Sequence, residues 1–159
     1  MIIRPATLDD LPVIVEMNRR LAEETEGLKL SVELLTQGVR AALFDPHKAR
    51  YFVAEIDGAV VGQLMHTREW SDWRNGDIWW LQSVYVVAEY RRQGVFRGLI
   101  EFLTVQAEAN PEVVGLRLYV EEQNHQAAAT YERLGLPEAG YVVRERIWRS
   151  WNSPASPHE

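Results

Sequence analysis

The stretch "YVVAEYRRQGVFRGLIEFL", Tyr85 to Leu103, places three arginines around one glycine and then continues in an apolar pattern of helical period. A strand-like run precedes it, so the chain passes from a strand through Gly94 into a helix. The first turn of a helix leaves backbone N–H groups without intrahelical acceptors, and the helix dipole adds partial positive charge there. With Arg91, Arg92 and Arg97 nearby, this turn predicts a site for an anion such as a pyrophosphate.

Glycine suits position 94 for one of two reasons, a positive φ or the close approach of a phosphate that a Cβ would obstruct. On this stretch alone, a solvated turn with exposed arginines explains the pattern equally well. The stretch lacks the Gly-Lys-Ser/Thr ending of a P-loop and the spaced glycines of a dinucleotide fingerprint. Nucleotide hydrolysis and hydride transfer therefore lose support.

The composition limits the class of protein further. The 159 residues carry a net charge of -6 and no cysteine, which argues against broad binding of nucleic acid and excludes thiolate chemistry. No apolar run is long enough to cross a membrane, and the four histidines have no metal-ligand spacing. We expect one cytosolic domain over residues 1–150, no metal, no membrane or nucleic-acid partner, and a flexible tail at 151–159.

Periodicity predicts the order α-α-β-β-β-α-β-α-β, with a small additional strand at the N-terminal "IIRPA". The first helix is expected at about 7 to 25 and the second begins near Ser31. Asp57-Gly58 and Asn75-Gly76 are signals for two-residue hairpin turns between the next three strands. A strand at Val114–Val120, a helix from about Asn124 to Leu134, and a last strand in "GYVVRERIW" complete the chain.

A second motif begins at Asn124, with Ala127 and Tyr131 following at helical spacing and "ERLGL" after them. Asn124 is a good helix N-cap, and positions 127 and 131 share one helix face. Purely structural roles are the alternative: Asn124 would only cap the helix, and Tyr131 would be a buried aromatic residue whose hydroxyl has a hydrogen-bond partner.

The two motifs together resemble those of the GNAT N-acetyltransferases. Arg91 to Phe96 is similar to the Arg/Gln-x-x-Gly-x-Gly/Ala acetyl-CoA motif, and the element order matches over nearly the whole chain. The departure is Phe96, where the family usually has Gly or Ala, so its ring must turn away from the pyrophosphate. The resemblance implies a mixed α/β fold, one layer of mixed β-sheet flanked by helices, with splayed fourth and fifth strands.

The resemblance also implies site residues. The pantetheine arm would pair with backbone of the fourth strand, the pyrophosphate would bind the amides around Gly94, and Tyr131 would be the general acid. The cofactor-binding residues implied are Val84, Tyr85, Val86, Arg91, Arg92, Gln93, Gly94, Val95, Phe96, Arg97, Asn124 and Tyr131.

The general base stays open. Many relatives carry an acid on the fourth strand, where this chain has Gln82 and Ser83, and neither can act as a base without help. A water held by one of them, or Glu121 or Glu122 after the fifth strand, would have to accept the proton. Solvated surface positions are the alternative for both glutamates.

Four tryptophans, at 70, 73, 79 and 80, lie in one short stretch that we expect near the acceptor site. We expect them to cluster in space, with Trp79 and Trp80 on opposite faces of their strand. They form either an aromatic wall for a substrate or a core or homodimer patch. The acidic "EETEG", Glu23 to Gly27, is expected in the connection between the first two helices, either attracting an amine or simply solvated. The candidate substrate residues are Glu24, Trp70, Asp72, Trp79 and Glu121.

The sequence thus predicts an acetyl-CoA-dependent N-acetyltransferase that acts on a primary amine of a small molecule, an amino acid or a peptide. A different class remains open: a non-catalytic acyl-CoA-binding or sensing domain that uses the tryptophans as a partner or dimer surface. Tyr131 favours the enzyme, because cofactor binding alone requires no acid near the sulfur.

Overall fold

The computed structural model describes residues 1–152 as a five-stranded sheet with four α-helices. The elements in chain order are β1 Ile2–Pro5, α1 Leu11–Glu26, α2 Val32–Phe44, β2 Arg50–Ile56, β3 Ala59–Ser71, β4 Gly76–Val86, α3 Val95–Glu108, β5 Val113–Leu118 and α4 His125–Arg133. A short 3₁₀ turn at Leu8–Asp10 precedes α1, and another at Ala88–Tyr90 follows β4.

The strands lie in the order β1-β2-β3-β4-β5, antiparallel except for the parallel pair β4 and β5. Pairing between β4 and β5 ends at Leu81 with Leu118, whereas β4 continues to Val86. The last five residues of β4 therefore have no β5 partner. This confirms the mixed sheet that the resemblance implied; the splaying of the fourth and fifth strands stays a prediction, with which the unpaired end of β4 is consistent.

Helices cover both faces of the sheet. One hydrophobic cluster joins α1 and α2 to β2, with Ile14, Val39 and Val53 at its centre. The larger cluster packs α3 and α4 against the other face, around Leu64 and Leu103. Of the helices in residues 1–152, none is long and apolar enough to cross a membrane.

One of the two predicted hairpin turns has the expected geometry. Asp57 and Gly58 both have positive φ, 51° and 79°, as a two-residue turn of type I′ requires. The second turn is longer, because Gly76 already belongs to β4 and residues 72–75 form the loop. Only Asn75 has a positive φ there, 49°.

Two expectations about the chain were wrong. The stretch Glu23 to Glu26 is the last turn of α1, which ends at Gly27 with a φ of 65°, so these acids are helical and do not lie in the connection. The strand predicted in "GYVVRERIW" does not form, because this stretch pairs with no strand among residues 1–152 and its apolar side chains are exposed. Alternating apolar and polar residues favour a strand, but a strand forms only where it can pair with the edge of a sheet.

The predicted flexible tail falls largely outside the structure. Trp151 and Asn152 are described, and residues 153–159 lie outside the described residues. The flexibility of the tail stays a prediction.

Candidate active site

The turn before α3 presents backbone N–H groups that are available to an anion. Arg92 and Gly94 have positive φ, 63° and 83°, and α3 begins at Val95. Gly98 donates its N–H to the carbonyl oxygen of Gly94 at 2.8 Å, whereas within residues 1–152 the N–H groups from Arg92 to Arg97 have no protein acceptor. Six donors at the positive end of a helix provide the hydrogen bonds and the dipole that a phosphate group requires.

The space beside this turn is open. A Cβ added at Gly94 would meet no atom within 4 Å. The ring of Phe96 packs edge-on against Tyr131, with 5.3 Å between ring centroids, instead of covering the glycine. The turn therefore fits a pyrophosphate despite the phenylalanine in its motif.

Arg91 points away from the turn and toward α1. Its Nε donates to the carbonyl oxygen of Val86 at 2.9 Å, and its Nη2 donates to Glu24 Oε2 at 2.5 Å. The hydroxyl of Tyr85 donates to the other oxygen of Glu24 at 2.7 Å. Burial acts to raise the pKa of Glu24, but these two hydrogen bonds lower it overall.

Glu24 therefore links α1 to the end of β4, and its carboxylate is already paired with Arg91. It has no free charge to offer an incoming amine. Of the two consecutive arginines, Arg91 is engaged in this contact, and Arg92 is exposed beside the open turn.

A bulge in β4 lies at the centre of the site. Ser83 has a positive φ of 51°, and the register between β3 and β4 shifts there, between Gln63 and Met65. The buried Gln63 donates through Nε2 to the carbonyl oxygen of Ser83 at 3.1 Å and to Asn18 Oδ1 at 2.8 Å. Asn18 in turn donates to the Tyr51 hydroxyl at 3.0 Å.

Sequence reasoning missed this polar network under the bulge. Burial raises the pKa of Tyr51, with Asn18 and Ser83 opposing the rise, so the hydroxyl is neutral at physiological pH. The only available signal was the presence of polar residues at core positions of an amphipathic helix and a strand, and that pattern does not identify partners.

Tyr131 is buried on the α3 side of the sheet, in the cluster that also contacts Val84 and Leu118 beside the end of the β4–β5 pairing. Burial raises the pKa of Tyr131 to about 12, so the phenol keeps its proton at any physiological pH. Asn124 caps α4, because its Oδ1 accepts from the Ala127 N–H at 3.1 Å. The capping role expected for Asn124 is confirmed.

The candidates for a base differ in their surroundings. Gln82 donates through Nε2 to the hydroxyl of Thr67 at 2.8 Å, and Ser83 lines a cavity on the α1 and α2 side of the sheet. Glu121 and Glu122 are exposed in the turn after β5, where Glu121 accepts the N–H of Gln123 at 2.9 Å. Within residues 1–152, no carboxylate stands on β4 beyond Asp77.

A cavity of about 430 Å³ opens on the α1 and α2 side of the bulge. Its floor includes Asn18, Tyr51 and Ser83. Its walls are mostly apolar side chains of the two helices and of β3, among them Leu21, Leu34, Leu35, Val39 and Met65. The cavity thus offers an apolar enclosure with a polar floor next to the free end of β4.

The tryptophans do not form one cluster. Trp79 and Trp80 do lie on opposite sides of β4, as predicted. Trp79 is buried under α3 and stacks on His66, with 4.1 Å between the ring centroids. Burial lowers the pKa of His66 to about 4. Trp79 therefore does not line the cavity beside Ser83, and its role as a substrate residue loses support, because alternation along a strand does not say which face is covered.

The other tryptophans lie elsewhere on the hairpin. Trp80 donates to Glu69 and contacts Tyr119, while Trp70 and Trp73 are exposed near the hairpin tip. Trp70 pairs with Asp77, six residues before Ser83, which corresponds to roughly 20 Å along a strand. Asp72 accepts the N–H of Trp73 in the tip. The structure does not bring Trp70 or Asp72 to the bulge.

Comparison with known proteins agrees with this geometry. The sequence matches the acetyltransferase (GNAT) family over residues 14–136. An N-alpha-acetyltransferase of Saccharolobus solfataricus is 30% identical over 143 residues, covering 83% of this chain and 77% of that protein.

Solved structures extend the comparison. A possible acetyltransferase of Clostridium difficile is 46% identical, with a TM-score of 0.88 over 94% of this chain and 98% of that one. A predicted acetyltransferase of Clostridium acetobutylicum, solved with acetyl-CoA, shares the fold at 15% identity, with a TM-score of 0.75 over 91% of this chain and 95% of that one.

The mixed sheet with its open turn before α3 and the unpaired end of β4 is the fold of an acetyltransferase. The chain belongs to the GNAT acetyltransferase family, and it is an acyltransferase.

Proposed function

We propose that this protein is a cytosolic N-acetyltransferase that moves the acetyl group of acetyl-CoA directly to a primary amine. The observation that carries the proposal is the open turn at Gly94, whose six N–H groups lack protein acceptors in the described chain, beside the unpaired end of β4. The turn offers a binding site for the pyrophosphate of acetyl-CoA, and the free edge of β4 offers hydrogen bonds to its pantetheine arm.

The residues around the turn would hold the cofactor. The pyrophosphate would bind the amides of residues 92–97, with Arg92 and Arg97 adding positive charge, and Gln93, Val95 and Phe96 would serve through their backbone. The pantetheine would pair with β4 at Val84, Tyr85 and Val86, in the place that β5 leaves open. Arg91 would act indirectly, because it fixes the end of β4 to Glu24. Asn124 would hold the start of α4, which carries Tyr131.

Acetyl-CoA supplies an activated acetyl thioester. Transfer forms a C–N bond and breaks the C–S bond, so the leaving thiolate needs a proton and the amine must lose one. Tyr131 would donate the proton to the thiolate, since a pKa of about 12 keeps the phenol protonated at physiological pH. Ser83 or Gln82 would hold a water that carries the amine proton to solvent, and Glu121 is a less direct acceptor because it lies in an exposed turn.

The acceptor would enter the 430 Å³ cavity beside Ser83. Its apolar walls favour an amine with an apolar substituent over a highly charged one. The relative from Saccharolobus solfataricus is named an N-alpha-acetyltransferase, and an α-amine at a peptide N-terminus followed by an apolar side chain suits these walls. The role of Glu24, Trp70 and Asp72 in attracting the amine loses support, because they are paired or distant from the cavity.

The test is an acetyl-transfer assay that follows thiol release from acetyl-CoA over a panel of amines, amino acids and short peptides with apolar or charged first residues. Mass spectrometry of the products should show one added acetyl group on nitrogen, with peptides of apolar first residue turned over fastest. Binding of acetyl-CoA without turnover across the whole panel would instead support the non-catalytic acyl-CoA sensor.

A further inference from the structure

The floor of the 430 Å³ cavity contains a chain of hydrogen bonds that all run in one direction. The chain begins at the carbonyl oxygen of Ser83 in the β4 bulge and passes through the buried side chains of Gln63 and Asn18 to Tyr51. The donor–acceptor distances lie between 2.8 and 3.1 Å. The direction of these bonds decides whether Tyr51 offers a hydrogen or a lone pair to the cavity.

The Ser83 carbonyl fixes the direction. A backbone carbonyl oxygen only accepts hydrogen bonds, so the Gln63 atom that contacts it must be Nε2. The same Nε2 contacts Asn18, so the Asn18 atom at that contact must be Oδ1. The other end of Asn18 is then Nδ2, which donates to the Tyr51 hydroxyl oxygen. Turning either amide around would bring two acceptors or two donors together.

Tyr51 is therefore the acceptor in its contact with Asn18, and the hydrogen of its own hydroxyl points to another side. A hydroxyl group that accepts one hydrogen bond still has its O–H to donate. Tyr51 lines the cavity together with Ser83. The floor of the cavity thus offers a hydrogen-bond donor beside the bulge.

The cavity has little charge to set beside this donor. Among the described residues that line it, Glu26 is the only charged one, and it is exposed at the end of α1. No lysine, arginine or histidine of the described chain lines the cavity, so a carboxylate placed there would be buried without a cation. An uncharged carbonyl group needs only a donor.

We propose that Tyr51 selects the acceptor, because its hydroxyl donates to the carbonyl oxygen of an α-amino amide such as the first residue of a peptide. Only three covalent bonds separate the amine nitrogen from this oxygen, so the amine can lie beside Ser83 while the oxygen contacts Tyr51. A simple alkylamine leaves the Tyr51 donor unpaired, and a free amino acid brings an unpaired carboxylate. The inference rests on the proposed function and adds a specificity-determining residue to it.

The first test compares L-leucinamide, isopentylamine and L-leucine as acceptors for the wild type. The three share one side chain and differ only at the carbonyl position. With kcat/KM expressed per neutral amine, L-leucinamide should exceed each of the others at least about tenfold. If either of the others equals L-leucinamide, the role of Tyr51 is wrong, whereas acetyl transfer itself stands. No turnover of L-leucinamide by a protein that binds acetyl-CoA would overturn both proposals.

The second test is Tyr51→Phe. It should lower kcat/KM for L-leucinamide about five- to one-hundredfold, the effect of leaving one buried carbonyl without its donor. The value for isopentylamine, which has no carbonyl, should not fall. Each substrate is compared between variant and wild type, so the basicity of the amine cancels. Tyr119→Phe, at an exposed tyrosine, is the matched control and should change neither value. An equal loss on both substrates in Tyr51→Phe would indicate altered packing and overturn the proposal.

Discussion

At the scale of single residues, Tyr131 is the proposed general acid, and its substitution distinguishes an enzyme from a binding protein. Tyr131→Phe should lower kcat by about 10²- to 10⁴-fold, the usual contribution of a general acid. The dissociation constant of acetyl-CoA should stay within about twofold, because the ring and its contact with Phe96 remain. Steady-state kinetics and calorimetry measure the two quantities.

Tyr119→Phe is the control for this substitution. Tyr119 is an exposed tyrosine whose ring contacts Trp80, and its loss of a hydroxyl should leave kcat unchanged. Full activity in Tyr131→Phe would remove the acid role.

His66 should make stability depend on pH. Its folded pKa of about 4 lies below the ordinary value of 6.5 because the ring is buried. The unfolded chain therefore binds more protons between these values, so stability is lost as pH falls from about 6.5 to about 4. The loss due to this residue should be roughly 3 kcal/mol at most.

Urea unfolding at pH 7 and pH 4.5 measures this loss. His66→Phe keeps an aromatic ring between Phe52 and Trp79 and should lose less stability than the wild type over that interval. The exposed His125→Phe should behave like the wild type. An equal loss in His66→Phe and in the wild type would show that His66 is not the titrating group.

At the scale of elements, the β4 bulge depends on Gln63. Gln63→Leu would leave the carbonyl oxygen of Ser83 and the side-chain oxygen of Asn18 without this donor in the interior. Unsatisfied buried acceptors cost about 1 to 3 kcal/mol each, so the free energy of unfolding should fall by roughly 2 to 6 kcal/mol. Acetyl-CoA should also bind more weakly, because the bulge shapes the free edge of β4.

The exposed Gln106→Leu on α3 gives the comparison for Gln63→Leu, measured by the same urea unfolding. We expect it to change stability by less than about 0.5 kcal/mol. A Gln63→Leu protein as stable as the control would mean that the bulge does not need this donor.

The elements also show what the sequence could and could not predict. α3 and α4 were predictable because their signals are local: Gly94 before one, Asn124 and Gly135 around the other. The bulge was not, because Asn18, Gln63 and Ser83 are far apart in the chain and no local pattern joins them. The C-terminal strand was predicted wrongly for the same reason, since its alternation says nothing about which edge it meets.

At the scale of the whole molecule, the proposed acetyl transfer requires the turn before α3 to bind acetyl-CoA in the folded protein. Isothermal titration of acetyl-CoA against wild type and Gly94→Trp tests this directly. Gly58→Trp is the matched control, because Gly58 and Gly94 have φ of 79° and 83° and neither has an atom within 4 Å of an added Cβ. Both substitutions should therefore cost about 1 to 2 kcal/mol of backbone strain.

We predict micromolar binding to wild type and to Gly58→Trp, and at least tenfold weaker binding to Gly94→Trp. Equal affinity in all three proteins, or no binding to the folded wild type, would contradict the pyrophosphate seat at Gly94.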